Sequence, residues 1–343
     1  MKKHFWLLSL LLLAFSLKTF SQVKKVDSSS LFKDDRTIQI TLASDYKKLL
    51  ADKLKMTEQP ATLTLRLPDS SSFTGDIGIR ARGITRKQSC HMPPLMLNFK
   101  TANSGGLSSL HKLKLVVGCG PSADNERLLL KEYLAYKIYN LMTEMSFRVR
   151  LVNITYEDTK GKMKAYTQYG FLIEDEGAMA KRNKCKEVKN DGFNTESTQR
   201  KQMTLVALFE YLIGNSDWSV PNYHNVKLIR SKDAPESRPY VVPYDFDYSG
   251  IVNAYYAVPL EDQENKSVTD REYRGFPRTM DELQETIALF VKQKENIKNL
   301  IMNFEPLNSK TRKEVMDYLE DFFKTINDKT DVETIFIKGA RKI

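Results

Sequence analysis

Residues 214–229 read GNSDWSVPNYHNVKLI, and residues 243–248 read PYDFDY. An apolar stretch with helical spacing leads into Asp217, while Asn225 directly precedes a short strand-forming run. A second strand-forming run then ends in an Asp-Phe-Asp triplet. This order predicts that carboxylates and a carboxamide meet at the ends of a small β-hairpin.

Side chains of this kind are typical of phosphoryl-transfer sites. Mg²⁺ prefers hard oxygen ligands and takes one or two of them from protein carboxylates. A separate Asp can accept the proton of an acceptor hydroxyl, and we interpret Asp217 as that base. Asn225 and Asp245 are interpreted as ligands of Mg²⁺ or Mn²⁺, with Asp247 in support. The alternative is that these residues only form turns, as Asn and Asp often do between strands.

The first part of the chain has the pattern of a β-rich unit. Short runs of apolar and strand-forming residues are separated by turn-forming Pro and Gly. One long helix, 125–142, has apolar residues at helical spacing. The predicted strands are 37–42, 61–67, 76–82, 94–100 and 112–117, followed by a hairpin of 147–156 and 166–174.

The remainder is predicted to be mostly helical. Apolar residues at helical spacing predict helices at 195–214, 280–304 and 309–326. Two short strands, 226–229 and 240–243, lie between the first two of these helices. The order predicts the α+β class and matches a bilobal, atypical protein-kinase-like fold, although other α+β folds fit it too. In this division 37–175 form a β-rich N-lobe with one long helix and a hinge hairpin, and 176–343 form a helical C-lobe that carries the catalytic loop.

The amino terminus is typical of a secretory signal peptide. Lys2 and Lys3 precede an apolar core of 13 residues at 5–17, and we predict cleavage after Ser21. A membrane anchor is the alternative, but that core is shorter than the ~20 residues that a spanning helix needs. We therefore expect residues 1–21 to be removed. The mature protein is expected to be exported to the periplasm, the cell surface or the medium, with no membrane span.

A polar segment, 22–36, follows the signal peptide and is predicted to be a flexible leader. The formal charge of +10 falls to +7 without the first 22 residues, which hold three Lys and no acidic residue. Since this excess is modest and the protein is expected to be exported, we predict no nucleic-acid partner.

Export also permits disulfides among the three cysteines, Cys90, Cys119 and Cys185. The first two can pair, or all three can be small core residues. A zinc site has no support, since the sequence contains no C-x-x-C.

The ordered motifs resemble the CotH kinase family of spore-coat-protein-H-like atypical protein kinases. The resemblance spans residues 77–248, about half of the chain, and rests on the order of motifs that are individually weak. The motifs that match are Asn215-Ser216-Asp217-Trp218, His224-Asn225 before Val-Lys-Leu-Ile, Tyr244-Asp245-Phe246-Asp247, Arg82-Gly83, Leu113-Lys114-Leu115 and Tyr169-Gly170-Phe171-Leu172-Ile173-Glu174.

The resemblance implies a kinase-like fold that transfers phosphate from ATP to a protein Ser or Thr. It implies an ATP-binding lysine, for which we choose Lys114, and a helical partner, for which Glu132 is preferred over Glu126. Arg80 and Arg82 share one strand face and can contact phosphate, or else they are exposed or pair with acidic residues. The backbone of Glu174 would meet adenine. Without the resemblance, Lys114 is interpreted as a solvent-facing strand lysine.

The sequence departs from the family pattern at several positions. Ile84 and Thr85 stand where the family has Asn and Ser, and no G-x-G-x-x-G loop is present. Asn222 lies five residues after Asp217, the spacing of many kinase-like sites, so it rivals Asn225 as a metal ligand. Two alternatives therefore stay open: a catalytically inactive kinase-like protein that binds a partner, and a nucleotidyl transferase that uses the same site.

Overall fold

A computed structural model describes residues 26, 28–100, 105–189, 192–259 and 267–342. The strands are β1 Ile38–Ser44, β2 Gln59–Arg66, β3 Ser72–Ala81, β4 Leu95–Asn98, β5 Lys112–Val117, β6 Val149–Asp158, β7 Tyr166–Ile173, β8 Cys185–Val188, β9 Val226–Ser231 and β10 Tyr240–Pro243. The helices are α1 Ser28–Leu31, α2 Tyr46–Ala51, α3 Thr85–Ser89, α4 Ala123–Met142, α5 Glu176–Arg182, α6 Arg200–Ile213, α7 Met280–Met302, α8 Ser309–Asn327 and α9 Lys329–Val332. Two short 3₁₀ segments, Gly105–Leu110 and Thr195–Ser197, and a π-helical segment, Glu333–Lys338, complete the described structure.

Strands β1 to β7 form a closed barrel in the order β1-β2-β3-β4-β5-β7-β6. Neighbouring strands are antiparallel except at the closing pair, where β1 and β6 run parallel from Ile38↔Val152 to Ser44↔Asp158. Alternate residues point into the barrel, and aliphatic side chains such as Leu63 and Ile79 fill it. Closure leaves no free edge in this sheet, so every strand has two hydrogen-bonded neighbours.

The predicted bilobal kinase-like fold, with a β-rich N-lobe and a helical C-lobe, is wrong. The first part of the chain is a closed, mixed seven-stranded barrel, and the rest contains a separate three-stranded sheet, β10-β9-β8, together with its helices. Alternation of apolar residues indicates which face of a strand is buried. It carries no information on whether the first strand meets a strand more than 100 residues later, which is the contact that closes the barrel.

Helix α4 joins the barrel to the remaining elements. It begins at a cap in which the Ser122 hydroxyl accepts the Asn125 N–H at 3.2 Å, and it packs against the outer face of β5, β6 and β7. On β7, Leu172 points into the barrel, whereas Phe171 and Ile173 belong to the core that α4 shares with the helices and the small sheet. One wall of the barrel thus contributes side chains to both cores.

Helix α6 ends where the chain turns toward the predicted site. Its C-cap, Gly214, has φ +65°, a left-handed conformation that favours glycine. The Tyr318 hydroxyl lies within 2.0 Å of the position that a Cβ at Gly214 would occupy. The sharp turn that delivers Asn215 and Asp217 after α6 therefore requires a residue without a side chain.

The predicted signal peptide, 1–21, lies outside the described residues. Within the segment predicted as a flexible leader, Val26, Leu31 and Phe32 are buried against the barrel interior. The Arg150 guanidinium donates to the Leu31 carbonyl at 3.3 Å, which ties this segment to β6.

Cys90 and Cys119 form a disulfide, and Cys185 is a buried free thiol. The pairing joins the segment after α3 to the segment after β5. In the described part of the chain, no helix combines the length and apolar character needed to cross a membrane.

Candidate functional site

A cavity of about 550 Å³ lies between the barrel and the loops that follow α6 and β10. The barrel contributes the β3–β4 connection and Val116 of β5. The other wall is made by residues at 217, 223–225, 244, 245, 247 and 248, which belong to the two stretches from which the site was predicted. Asp217, Asn225, Asp245 and Asp247 therefore all line one cavity.

The Asp217 carboxylate is held on both oxygens. His224 Nε2 lies 2.8 Å from Oδ1, and Asn225 Nδ2 donates to Oδ2 at 3.0 Å. The Asp217 N–H donates to Asn215 Oδ1 at 3.1 Å. These contacts fix the orientation of a carboxylate that faces the cavity.

The loop that presents His224 and Asn225 has an unusual backbone. Tyr223 and Asn225 have φ +54° and +52°, and His224 forms an isolated antiparallel bridge with Ser219. Non-glycine residues in the left-handed region cost free energy and are often found at functional sites. Asn225 uses Nδ2 for the Asp217 carbonyl and carboxylate, and among the described residues its Oδ1 has no hydrogen-bond donor, so this oxygen can face a ligand. Asn222 is exposed and does not line the cavity, so the geometry favours Asn225 over this rival.

Asp245 and Asp247 enter the cavity from the end of β10. Asp245 has φ +68°, and its N–H donates to the Tyr136 hydroxyl of α4 at 2.8 Å. The Asp247 carboxylate is buried and accepts the Tyr256 hydroxyl at 3.2 Å. Burial and the neighbouring Asp245 raise the pKa of Asp247 to about 7. The charge of Asp245 therefore disfavours ionisation of Asp247, as a neighbouring carboxylate does when no cation lies between the two.

Basic side chains lie on the barrel side of the cavity. Arg82 lines it, whereas Lys114 lies beside it with Nζ 4.5 Å from the centre of the Tyr244 ring. Burial lowers the pKa of Lys114 to about 8, and the positive charge of Arg82 is the second largest cause. Lys227 of β9 also faces Tyr244, at 5.9 Å, and is paired with Glu176 at 3.2 Å. The structure thus brings the predicted lysine near the site, although not to its surface.

Glu132 and Glu174 do not line this cavity. Glu132 is buried in α4, and within the described residues no cation lies within 4.0 Å of its carboxylate, so the predicted Lys114–Glu132 ion pair is absent. Glu174 pairs with Arg182 at 2.9 Å and its N–H donates to the Arg148 carbonyl, at the end of β6–β7. The backbone amide predicted to meet adenine is therefore already bonded within the protein.

The donor set fits a hard divalent cation. Asn225 Oδ1 and the carboxylates of Asp245 and Asp247 are oxygen ligands of the kind that Mg²⁺ and Mn²⁺ prefer, and the cavity leaves space for phosphate and water. Among the described residues, no group of three or more His, Cys, Asp or Glu is arranged to hold a metal.

Two neighbours of the site were missed by reasoning from the sequence. Arg86 of α3 lines the cavity, and its Nη1 lies 4.0 Å from Asp247 Oδ2. Glu210 of α6 accepts the Asn215 amide at 2.9 Å behind Asp217. Arg86 contacts residues far away in sequence, and Glu210 lies within an apolar helix, so neither position shows a local motif.

No family model matches this chain, and no curated protein matches it in sequence.

Proposed function

We propose that this cavity binds ATP together with Mg²⁺ or Mn²⁺ and transfers the γ-phosphoryl group to a Ser or Thr hydroxyl of a protein. The observation that carries the proposal is the convergence of Asp217, Asn225, Asp245 and Asp247 on one cavity whose opposite side is basic. Carboxylates and an amide for metal, with arginine and lysine for phosphate, are the groups that phosphoryl transfer uses. The proposal keeps the chemistry implied by the resemblance to the CotH kinase family without the fold.

The proposed base is Asp217. The acceptor hydroxyl gives its proton to this carboxylate as its oxygen forms a bond to the γ-phosphorus. The bond from phosphorus to the bridging oxygen breaks, and its electron pair leaves with ADP. Because His224 and Asn225 already orient the Asp217 carboxylate, this side chain loses little conformational freedom when the acceptor binds.

The remaining residues position the phosphates. Asn225, Asp245 and Asp247 would hold the metal, which supplies charge neutralisation of the phosphate oxygens when bound. Arg82 presents a guanidinium to the cavity, and such a group can donate two parallel hydrogen bonds to phosphate. Lys114 adds positive charge from behind Tyr244.

We also propose that the protein is exported. The Cys90–Cys119 disulfide supports this, because disulfides persist in oxidising compartments and are rare in the cytosol of most organisms.

Calorimetric titration of the purified protein with Mn²⁺-ATP tests the proposal. Asp245→Asn removes one carboxylate charge, and Asn tolerates the left-handed backbone at this position, so the loop keeps its shape. We expect affinity for Mn²⁺-ATP to fall at least about tenfold, since even indirect partners of a metal commonly account for that much. Asp317→Asn, on the exposed side of α8, is the control and should bind as the wild type does.

Turnover separates the remaining alternatives. Asp217→Asn should bind Mn²⁺-ATP normally and transfer labelled γ-phosphate to protein far more slowly than the wild type. The intact mass of a modified protein distinguishes an added phosphoryl group from an added adenylyl group, which would indicate nucleotidyl transfer. A wild type that binds no ATP with either metal would contradict the proposal and favour the partner-binding alternative.

A further inference from the structure

Arg86 occupies a position between the cavity and the buried face of α4. It lies in α3, a short helix within the β3–β4 connection that lines the cavity. Its Nη2 donates to the Val117 carbonyl at the end of β5, and its Nη1 lies 4.0 Å from Asp247 Oδ2. Only 19% of this side chain is exposed, so the guanidinium is fixed at the site and largely removed from solvent.

Glu132 of α4 lies behind this arginine, and its buried carboxylate is incompletely hydrogen-bonded within the described structure. It is 2% exposed, and its Oε1 has no hydrogen-bond partner among the described residues. A cavity of about 10 Å³, at the lower limit for one water molecule, is lined by Arg86, Glu132 and Tyr256. Burial, then Asp247 and Asp245, raise the pKa of Glu132 well above its ordinary value, and Arg86 is the first group that opposes them. Arg86 thus lines a small cavity together with Glu132 and also faces Asp247.

Lys114 does not fill this role. Arg82 and Lys227 are its charged neighbours, together with Asp245, and its ammonium group stacks over Tyr244. The planar Arg86 guanidinium bonds the Val117 carbonyl and faces Asp247 at the same time. Its Nε is buried and has no partner among the residues that the structure describes.

The disulfide anchors both ends of this arrangement. Cys90 follows α3 directly, and its N–H donates to the Arg86 carbonyl at 3.0 Å. Cys119 lies two residues after the Val117 carbonyl that holds the guanidinium, and its own carbonyl accepts the His91 N–H at 3.1 Å. The covalent link thus fixes the distance between α3 and the residue to which Arg86 is bonded.

We propose that Arg86, anchored by the Cys90–Cys119 disulfide, is the arginine that holds Asp247 in place and supplies a positive charge to the nucleotide phosphates. This inference rests on the proposed function and assigns to Arg86 the phosphate-facing charge predicted for Lys114. The site then depends on a disulfide that lies outside its own cavity lining.

Substitutions at neighbouring positions of α3 test the role of Arg86. Arg86→Gln should weaken Mn²⁺-ATP binding by about 10- to 100-fold, the usual value of a hydrogen bond to a charged group. Arg86→Lys should restore only part of this, because an ammonium group cannot reach Val117 and Asp247 together. Lys87→Gln is the matched control and should bind as tightly as the wild type.

Hydrogen exchange tests the anchor without any nucleotide. Cys90→Ser with Cys119→Ser should increase amide exchange in residues 84–91 and weaken Mn²⁺-ATP binding, whereas Cys185→Ser should change neither. If the double variant does not fold, the wild type with and without a mild reductant gives the same comparison. Unchanged exchange at 84–91 would show that the disulfide does not anchor α3.

The outcomes distinguish this inference from the proposed function. A wild type that binds no Mn²⁺-ATP overturns the proposed function, and the exchange experiment still decides whether the anchor exists. A wild type that binds, beside an Arg86→Gln variant that binds equally well, overturns only the role of Arg86.

Discussion

Glu210 shows how one buried carboxylate can make stability depend on pH. It is 1% exposed in α6; its Oε2 accepts the Asn215 amide, and its Oε1 has no partner within the described structure. Burial raises the pKa of Glu210 to about 8, against the opposing effect of the Asn215 hydrogen bond. An unfolded Glu has a pKa of about 4.3. Between these two values the folded protein retains a proton that the unfolded chain has lost.

The sign of this effect gives a prediction for Glu210→Gln. Stability due to the protonated carboxyl is fully present below about pH 4 and is lost as the pH rises through about 8. Gln keeps an acceptor for Asn215 and cannot ionise. We expect the variant to exceed the wild type in free energy of unfolding by ~3–5 kcal/mol at pH 9, and by less than ~1 kcal/mol near pH 4.5.

Urea unfolding at these two pH values measures the difference. Glu295→Gln, an exposed position on α7, serves as the control and should follow the wild type at both. A Glu210→Gln variant that also follows the wild type at both pH values would mean that Glu210 titrates as an ordinary carboxylate.

Residues of the site differ in how far the sequence reveals them. Asp217, Asn225 and Asp245 follow or precede recognisable elements, so their convergence was predictable from local order. Arg86 had no such signal, because its importance depends on Val117 and on groups in α4 and beyond β10, all distant in sequence.

At the scale of the element, α4 packs against the barrel and contacts the candidate site through the Tyr136 hydroxyl. Tyr136 is buried in α4 and accepts the N–H of Asp245, whose backbone is in the left-handed region. Tyr139, one turn later, is equally buried and accepts the Gln202 amide at 2.9 Å, away from the cavity. The two tyrosines are therefore a matched pair for substitution, because Tyr136 contacts a site residue and Tyr139 contacts a residue away from the cavity.

This pair gives a prediction for nucleotide binding. Tyr136→Phe should lose ~1 kcal/mol of stability and bind Mn²⁺-ATP about 3- to 10-fold more weakly, because the Asp245 amide is left without its acceptor. Tyr139→Phe should lose similar stability and keep its affinity. Thermal unfolding and calorimetric titration of both variants measure these quantities. Equal affinity in the two variants would exclude a positioning role for the Tyr136 hydroxyl.

Most individual elements were predictable because their signals are local. The periodicity of α4 and the alternation of β5 gave bounds within about two residues of those observed. The short elements α3, α5 and β8 were missed, since runs of four to seven residues contain too few apolar positions to define a period.

At the scale of the whole molecule, the sequence did not predict how the strands close. The pairing of β1 with β6 is parallel and joins residues more than 100 positions apart. Neither strand has a sequence pattern that identifies the other as its neighbour. The predicted two-lobe arrangement also requires that each lobe has its own hydrophobic core. In the structure, β5, β6 and β7 form the wall between the barrel interior and the core that contains α4, α6 and α7.

A shared wall predicts that the protein unfolds in one cooperative transition. Leu134 of α4 is fully buried in the core outside the barrel, and Leu134→Ala should lower the free energy of unfolding by ~2–5 kcal/mol. Because α4 covers the outer face of β5–β7, this loss should appear equally in the amides of β2, on the far side of the barrel, and of α8. Native-state hydrogen exchange measures both, and Val291→Ala, at an exposed position on α7, should leave both within ~0.5 kcal/mol of the wild type. Destabilisation of α8 with unchanged exchange in β2 would show instead that the barrel and the helices unfold as independent units.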